Sequence, residues 1–224
     1  MERYRRYAIY YTPPAGDFAD FGASWLGWDP VAGRAVEQPA VPGLDLPALT
    51  AGPRGYGFHA TLKAPFRLAA GVTPAGLREA VAALAASMAP VRLPGLRLSR
   101  IGSFLALTPE KNSVLLDNLA ANLVTRLDPL RAPLTGAETA RRQPGLLTAR
   151  QRALLDRWGY PWVLEEFRFH MTLAGPLTEP ETEVMERALR ARLTAVPRPF
   201  TIDAISLMGE GDDGRFRLVA RCGL

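Results

Sequence analysis

The sequence predicts a duplicated fold of mixed strands and helices, and three observations carry that prediction. The first is a pattern, Phe-His-x-Thr-Leu, found at Phe58-His59-Ala60-Thr61-Leu62 and again at Phe169-His170-Met171-Thr172-Leu173. It holds both histidines of the 224-residue chain. The second is the spacing: 169 − 58, 170 − 59, 172 − 61 and 173 − 62 all give 111, and Pro65 and Pro176 keep that offset. A single offset held over several positions marks an internal repeat. The third is the order of elements after each copy, which reads as motif strand, helix, then paired strands.

Taken in order, Arg6 to Tyr11 is rich in aromatic and β-branched residues, stops at Pro13-Pro14 and predicts the opening strand. Asp17 to Trp28 predicts a short helix, with Phe18, Phe21, Trp25 and Leu26 at helical spacing. Asp29 to Pro53 contains Pro30, Pro39, Pro42, Pro47 and Pro53 and predicts a long irregular loop, a length often tied to function. After the first motif strand, Thr73-Pro74 offers an N-cap and a first-turn proline. Leu77, Val81 and Leu84 follow at core spacing in a helix ending near Ser87. Strands are predicted at Val91 to Arg100 and Ser103 to Thr108.

Asn112 to Leu127 predicts an amphipathic helix striped by Leu115, Leu116, Leu119, Leu123, Val124 and Leu127. Arg131 to Gln143 reads as a basic connection, in which Arg141-Arg142 form a solvated face or salt bridges rather than phosphate contacts. A helix is predicted from Thr148 to Trp158. The aromatics of the turn Gly159-Tyr160-Pro161-Trp162 read as closing the core rather than stacking on a base. The second unit then runs through a strand at Glu166 to Ala174, a helix at Glu179 to Thr194, and strands at Phe200 to Met208 and Arg215 to Arg221. A hairpin turn, Gly209 to Gly214, joins the last two.

Composition sets the outer limits. Hydrophobic residues at 48% against 22% charged are ordinary for a globular chain, and the length suits one two-lobed domain or two small ones. A net charge of +5 favours an anionic ligand, with nucleic acid, a nucleotide and a sugar phosphate all compatible. The lone Cys222 excludes an internal disulfide and a cysteine-based zinc site, and fits a reduced cytoplasmic setting. Met1 to Tyr11 is basic but lacks the apolar run of a signal peptide, and no apolar stretch of about 18 to 20 residues follows that would span a bilayer. A soluble protein with no membrane partner is expected.

Chemistry enters through strand alternation. On a strand, His59 and Thr61 share a face, as do His170 and Thr172, while Phe58, Ala60, Leu62 and Phe169, Met171, Leu173 turn to the core. Continued alternation adds Lys63 to the first polar face and Arg168 to the second, and Tyr10 is a candidate for the same cleft. A lone histidine is more often structural, but a duplicated strand needs no histidine in order to pack. Two facing imidazoles suit in-line attack at a phosphodiester, one activating water and the other protonating the leaving oxygen. The threonines with Lys63 or Arg168 would hold the non-bridging oxygens. That scheme requires no metal and no cofactor. No nucleophile elbow, His-Glu-x-x-His, phosphate-binding Gly-rich loop or dinucleotide fingerprint is present.

The paired His-x-Thr-Leu strands resemble the two-histidine phosphoesterase superfamily, which includes cyclic nucleotide phosphodiesterases and enzymes processing RNA 2',3'-cyclic phosphates. Tyr7 to Pro13, Tyr56 to Phe66, and Trp158 to Pro161 with Glu165 to Leu173 are similar to a bacterial branch associated with phosphonate metabolism, a likeness covering nearly the whole chain. The resemblance implies a bilobal α+β fold with pseudo-two-fold symmetry, each lobe an antiparallel sheet flanked by helices, with the active cleft between them. The lobes are expected to draw on residues 1–110 and 111–224. It implies catalytic roles for His59 and His170 and phosphate binding for Thr61 and Thr172. It also implies a small cyclic phosphate as substrate, such as a ribosyl 1,2-cyclic phosphate, with an RNA 2',3'-cyclic end as the alternative and non-catalytic nucleotide or phosphosugar binding as a third reading. A basic groove with exposed aromatics would favour RNA.

Overall fold

The computed structural model describes residues 4–142 and 144–224, so the expectations resting on Met1 to Arg3 and on Gln143 fall outside the described residues. Strands and helices alternate as β1 (Arg6–Tyr11), α1 (Asp17–Leu26), β2 (Trp28–Asp29), β3 (Arg34–Ala35), α2 (Leu46–Leu49), α3 (Ala51–Arg54), β4 (Ala60–Phe66) and α4 (Pro74–Ala85). They continue as β5 (Val91–Leu93), β6 (Leu96–Ile101), β7 (Phe104–Pro109), α5 (Val114–Arg126), α6 (Gly136–Arg141) and α7 (Ala149–Trp158). The chain closes with β8 (Met171–Ala174), α8 (Glu179–Arg190), β9 (Phe200–Ile202), β10 (Ala204–Glu210) and β11 (Phe216–Gly223).

This is the expected α+β class, an antiparallel sheet flanked by helices. Seven strands run in the order β11-β10-β1-β4-β8-β7-β6, while β2 pairs with β3 and β5 with β9. The seven-stranded sheet interleaves strands from the two halves of the chain. β6 and β7, from the first half of the chain, pair beside β8, and β10 and β11, from the second half, pair beside β1. Each half of the chain therefore completes the other's side of the sheet.

The two sides meet at β4 and β8, where one pair, Ala60 opposite Met171, joins them. Each motif is followed by strand, helix and three strands: β4-α4-β5-β6-β7 and β8-α8-β9-β10-β11. Equivalent residues pair with each other both at the seam and in the small ribbon, since 171 − 60 and 202 − 91 both give 111 for Ala60–Met171 and Val91–Ile202.

Local chemistry explains the boundaries. Thr73 accepts from the Gly76 N–H at the start of α4, Ser113 caps α5 and Thr148 caps α7 in a capping box with Gln151, each cap contributing about 1 kcal/mol. The run predicted as one strand, Val91 to Arg100, is broken between Leu93 and Leu96, leaving β5 and β6 separate. The second motif strand is shorter than expected because Leu164–Glu166 forms a 3-10 turn and pairing begins only at Met171. Between β2 and β4 the long loop is tied down by Gln38 and Arg54. Arg54 donates to the carbonyls of Leu26 and Pro47 and to Gln38 Oε1, and Gln38 donates to the Trp25 carbonyl and Thr50.

The motif strands are anchored on their apolar face. Phe58, Ala60, Leu62, Phe169, Met171 and Leu173 are between 0 and 5% exposed and belong to the main core. Full burial of such Phe, Leu or Met side chains stabilises by about 1.5–3 kcal/mol each. Among the described residues, no helix is long and apolar enough to cross a membrane.

Candidate active site

The seam fixes the site. With Ala60 and Met171 directly opposed and turned into the core, their sequence neighbours His59, Thr61, His170 and Thr172 are turned to the other face. Antiparallel register sets His59 across from Thr172 and Thr61 across from His170. All four are half-buried and line one cleft of about 430 Å³. The two imidazoles and two hydroxyls predicted to share a surface are therefore brought together.

Each imidazole is oriented through its Nδ1. His59 Nδ1 lies 2.9 Å from the Gly57 carbonyl and His170 Nδ1 lies 2.8 Å from the Arg168 carbonyl. A carbonyl only accepts, so Nδ1 carries the hydrogen in both rings and each neutral ring keeps its lone pair on Nε2. The Gly57 carbonyl is presented by a turn with φ +75 at that residue, where an added Cβ would stand 2.6 Å from Pro30. Glycine is required there for both reasons. His59 Nε2 accepts from the Thr61 hydroxyl at 3.0 Å.

The two rings are not equivalent. Tyr10 stacks on His59 with centroids 3.9 Å apart, whereas His170 meets the Phe104 ring at 5.8 Å, tilted by 53°. Burial pushes the His59 imidazole down to about pH 4, and the neighbouring charge of His170 pushes it the same way. Tyr10 itself is fully buried, lines the cleft, and its hydroxyl has no hydrogen-bond partner among the described residues. Burial raises its phenol well above the ordinary range.

Lys63 is not in the cleft. Its ammonium donates to the Val124 carbonyl at 2.9 Å and lies 3.6 Å from Asp128 Oδ1, and the side chain is 3% exposed. Burial lowers it to about pH 8. Alternation fails because the register of β4 against β1 slips between Tyr10–Thr61 and Ile9–Lys63, so the face assigned at Thr61 does not carry to Lys63. Arg168 is exposed and lines a larger trough of about 1090 Å³ that meets the cleft at Thr61, Ala64, Tyr160 and His170.

Residues not predicted for the site line the smaller cleft as well. Arg141 and Arg142, read as a solvated face, stand on its wall, as do Arg6, Tyr56 and Tyr160. Tyr160, read as core, carries the Arg142 guanidinium 4.8 Å above its ring, and Trp162 is 44% exposed beside it. Arg6 was legible as a member of this face, since it shares the strand parity of Tyr10. Arg141 and Arg142 were not, because α6 was not predicted. Among the described residues, no group of three or more His, Cys, Asp or Glu side chains is placed to hold a metal ion.

A family profile described as "Protein of unknown function (DUF1045)" matches residues 61–217. The chain is 41% identical over 220 residues to a protein of Janthinobacterium sp. (strain Marseille) named ribose 1,5-bisphosphate phosphokinase PhnN, covering 93% of this chain and 48% of that one. A protein of the same name from Laribacter hongkongensis (strain HLHK9) is 38% identical over 176 residues, covering 78% of this chain and 41% of the other. The chain thus spans about half the length of the curated relatives it matches. Among solved structures, E. coli LigT complexed with 3'-AMP aligns over 100% of this chain and 99% of its own at 14% identity and TM-score 0.47. A crystal structure of a phosphoesterase aligns over 98% of both chains at 16% identity and TM-score 0.44.

Proposed function

This chain belongs to the DUF1045 family, described as a protein of unknown function, and we propose that it is a phosphodiesterase hydrolysing a small cyclic phosphate by two-histidine acid–base catalysis. The observation that carries this reading is the quartet His59, Thr61, His170 and Thr172 set around one paired position in one cleft. A phosphorus between the rings has an imidazole on the side of attack and another on the side of departure.

In this reading His59 is the base. Its ring is neutral near pH 7 with the lone pair on Nε2, where it takes a proton from water as the water oxygen bonds to phosphorus. His170 enters the step as the imidazolium, with hydrogen on both ring nitrogens, and gives its Nε2 proton to the departing ester oxygen as that P–O bond breaks, leaving a phosphate monoester, a free hydroxyl and a neutral His170 ring. Thr61 turns its hydroxyl from His59 to a non-bridging oxygen, and Thr172 does the same from the other side, stabilising the charge that gathers there. The relatives' printed name concerns a ribose carrying phosphates, so a ribosyl cyclic phosphate is the first substrate to try.

The charge of the larger trough weighs against an RNA 2',3'-cyclic end. Arg97, Arg100 and Arg168 on its walls are balanced by Asp117, Glu165 and Glu166, so it offers no net attraction to a polyanion. The test is incubation of the purified chain, in chelator, with ribosyl and nucleoside cyclic phosphates, followed by phosphorus NMR. Conversion to a monoester is expected, and its loss on removing metal would overturn the acid–base scheme.

A further inference from the structure

Beside the histidines the same cleft is lined by groups that the reaction leaves unused, Arg6, Arg141, Arg142, Tyr56 and Tyr160, with the buried Tyr10 stacked on His59. We infer that these groups form a second phosphate-binding subsite, which takes a terminal phosphate on the arm of the substrate remote from the reacting phosphorus. The inference rests on the phosphodiesterase reading for its substrate, but on separate residues for its ligand.

Charge is the first argument. The carboxylate on this part of the wall, Glu138, is already held by Arg67 and by the Thr135 N–H, and Arg6 is held by Glu210 in a bidentate pair. Among the described residues, Arg141 and Arg142 have no carboxylate partner, which leaves two positive charges on the wall uncompensated. A guanidinium fork matches two oxygens of a phosphate in geometry as well as in charge.

The second argument is Tyr10. Its hydroxyl is buried and has no partner among the described residues, an arrangement that costs free energy unless something bonds to it. The phenols of Tyr56 and Tyr160, the guanidinium of Arg6 and the Glu210 carboxylate paired with that guanidinium act on it, and of these Tyr56, Tyr160 and Arg6 line the cleft. A phosphate oxygen supplies the missing acceptor. A flat base fits less well, because one face of Tyr56 is covered by Phe216 at 5.3 Å and one face of Tyr160 by Arg142. About 430 Å³ is ample for a sugar with two phosphates.

The experiment is calorimetric titration with D-ribose 5-phosphate and, separately, adenosine. Four chains are compared: wild type, Arg141→Gln with Arg142→Gln, Tyr10→Phe, and Thr61→Val with Thr172→Val. The arginine pair should weaken ribose 5-phosphate binding at least tenfold and Tyr10→Phe several-fold, with the threonine pair weakening it less than either. Binding that ignores the arginine pair, or adenosine binding more tightly than ribose 5-phosphate, would overturn the subsite. Binding is read without turnover. Failure to hydrolyse any cyclic phosphate would therefore remove the reaction and leave the subsite standing, while arginine-insensitive binding would do the reverse. The arginines are on the surface, so thermal melts of the double variant should match wild type.

Discussion

The ring of Tyr10 covers that of His59, with planes 28° apart, and among the described residues no ring stacks on His170 in the same way. Register explains the asymmetry. Tyr10 lies opposite Thr61, and its counterpart opposite Thr172 is Ala106, whose methyl is too small to reach an imidazole. Tyr10→Phe keeps the stack and should leave the His59 titration near pH 4. Tyr10→Ala admits water and should move it upward toward 6.5, carrying the acid limb of kcat/KM with it. Imidazole NMR titration of the two variants checks this. Equal values in both would show that the stack does not set the ionisation.

Stability should depend on acid in the direction set by the same ring. Below pH 6.5 the unfolded chain protonates this imidazole, while the folded chain does not until about pH 4, so stability is lost as pH falls across that window. The effect is at most about 3 kcal/mol, less for a ring that solvent partly reaches. Glu138, held by Arg67 at about pH 2, gives a separate loss between 4.5 and 2. Urea melts from pH 7 to 4 on wild type and His59→Asn test the first window, and a slope that survives the substitution would assign it elsewhere.

On a confirmed substrate, His59→Ala and His170→Ala should each lower kcat at least about a hundredfold, the usual contribution of a positioned acid or base. Thr61→Val and Thr172→Val each remove one hydroxyl donor and should lower kcat about tenfold to a hundredfold with a smaller change in KM. Steady-state kinetics at a single pH suffice. Wild-type rates in either histidine variant would end the assignment.

The seam was legible because the repeat and the period of two are both written in residues that pack or react. The motif placed His59, Thr61, His170 and Thr172 on one face without any knowledge of the pairing. What the sequence could not show depended on contacts between distant segments. The exchange of strands between the halves follows from which edges β1 and β8 leave open. The slip that removes Lys63 from the cleft arises in the pairing of β4 with β1. Arg141 and Arg142 carry no pattern of their own, and only the short helix capped by Thr135 and Glu138 brings them to the cleft wall.

Lys63 should then behave as a structural residue. Lys63→Met removes the donor to the Val124 carbonyl and one of the cations beside Asp128, which keeps Arg131 at 2.8 Å. An unpaired buried carbonyl costs about 1–3 kcal/mol, so the variant should unfold earlier in urea. Its kcat and KM at a temperature where it is folded should equal wild type. A selective fall in kcat would return Lys63 to the site.

Gly22, in α1, opposes two effects in one substitution. In a helix interior, glycine to alanine is favourable by about 1 kcal/mol on propensity alone. Here an added Cβ would stand 1.9 Å from the Phe58 ring, which is 3% exposed and packed edge-on against Phe18 and Phe21. A ring so enclosed moves only by displacing its neighbours, and overpacking of this kind costs about 1–3 kcal/mol. Gly22→Ala should therefore destabilise despite its better propensity. Because Phe58 immediately precedes His59, the displacement should also reach the imidazole, lowering kcat more than KM. A stabilised variant with full activity would mean that Phe58 has room to turn.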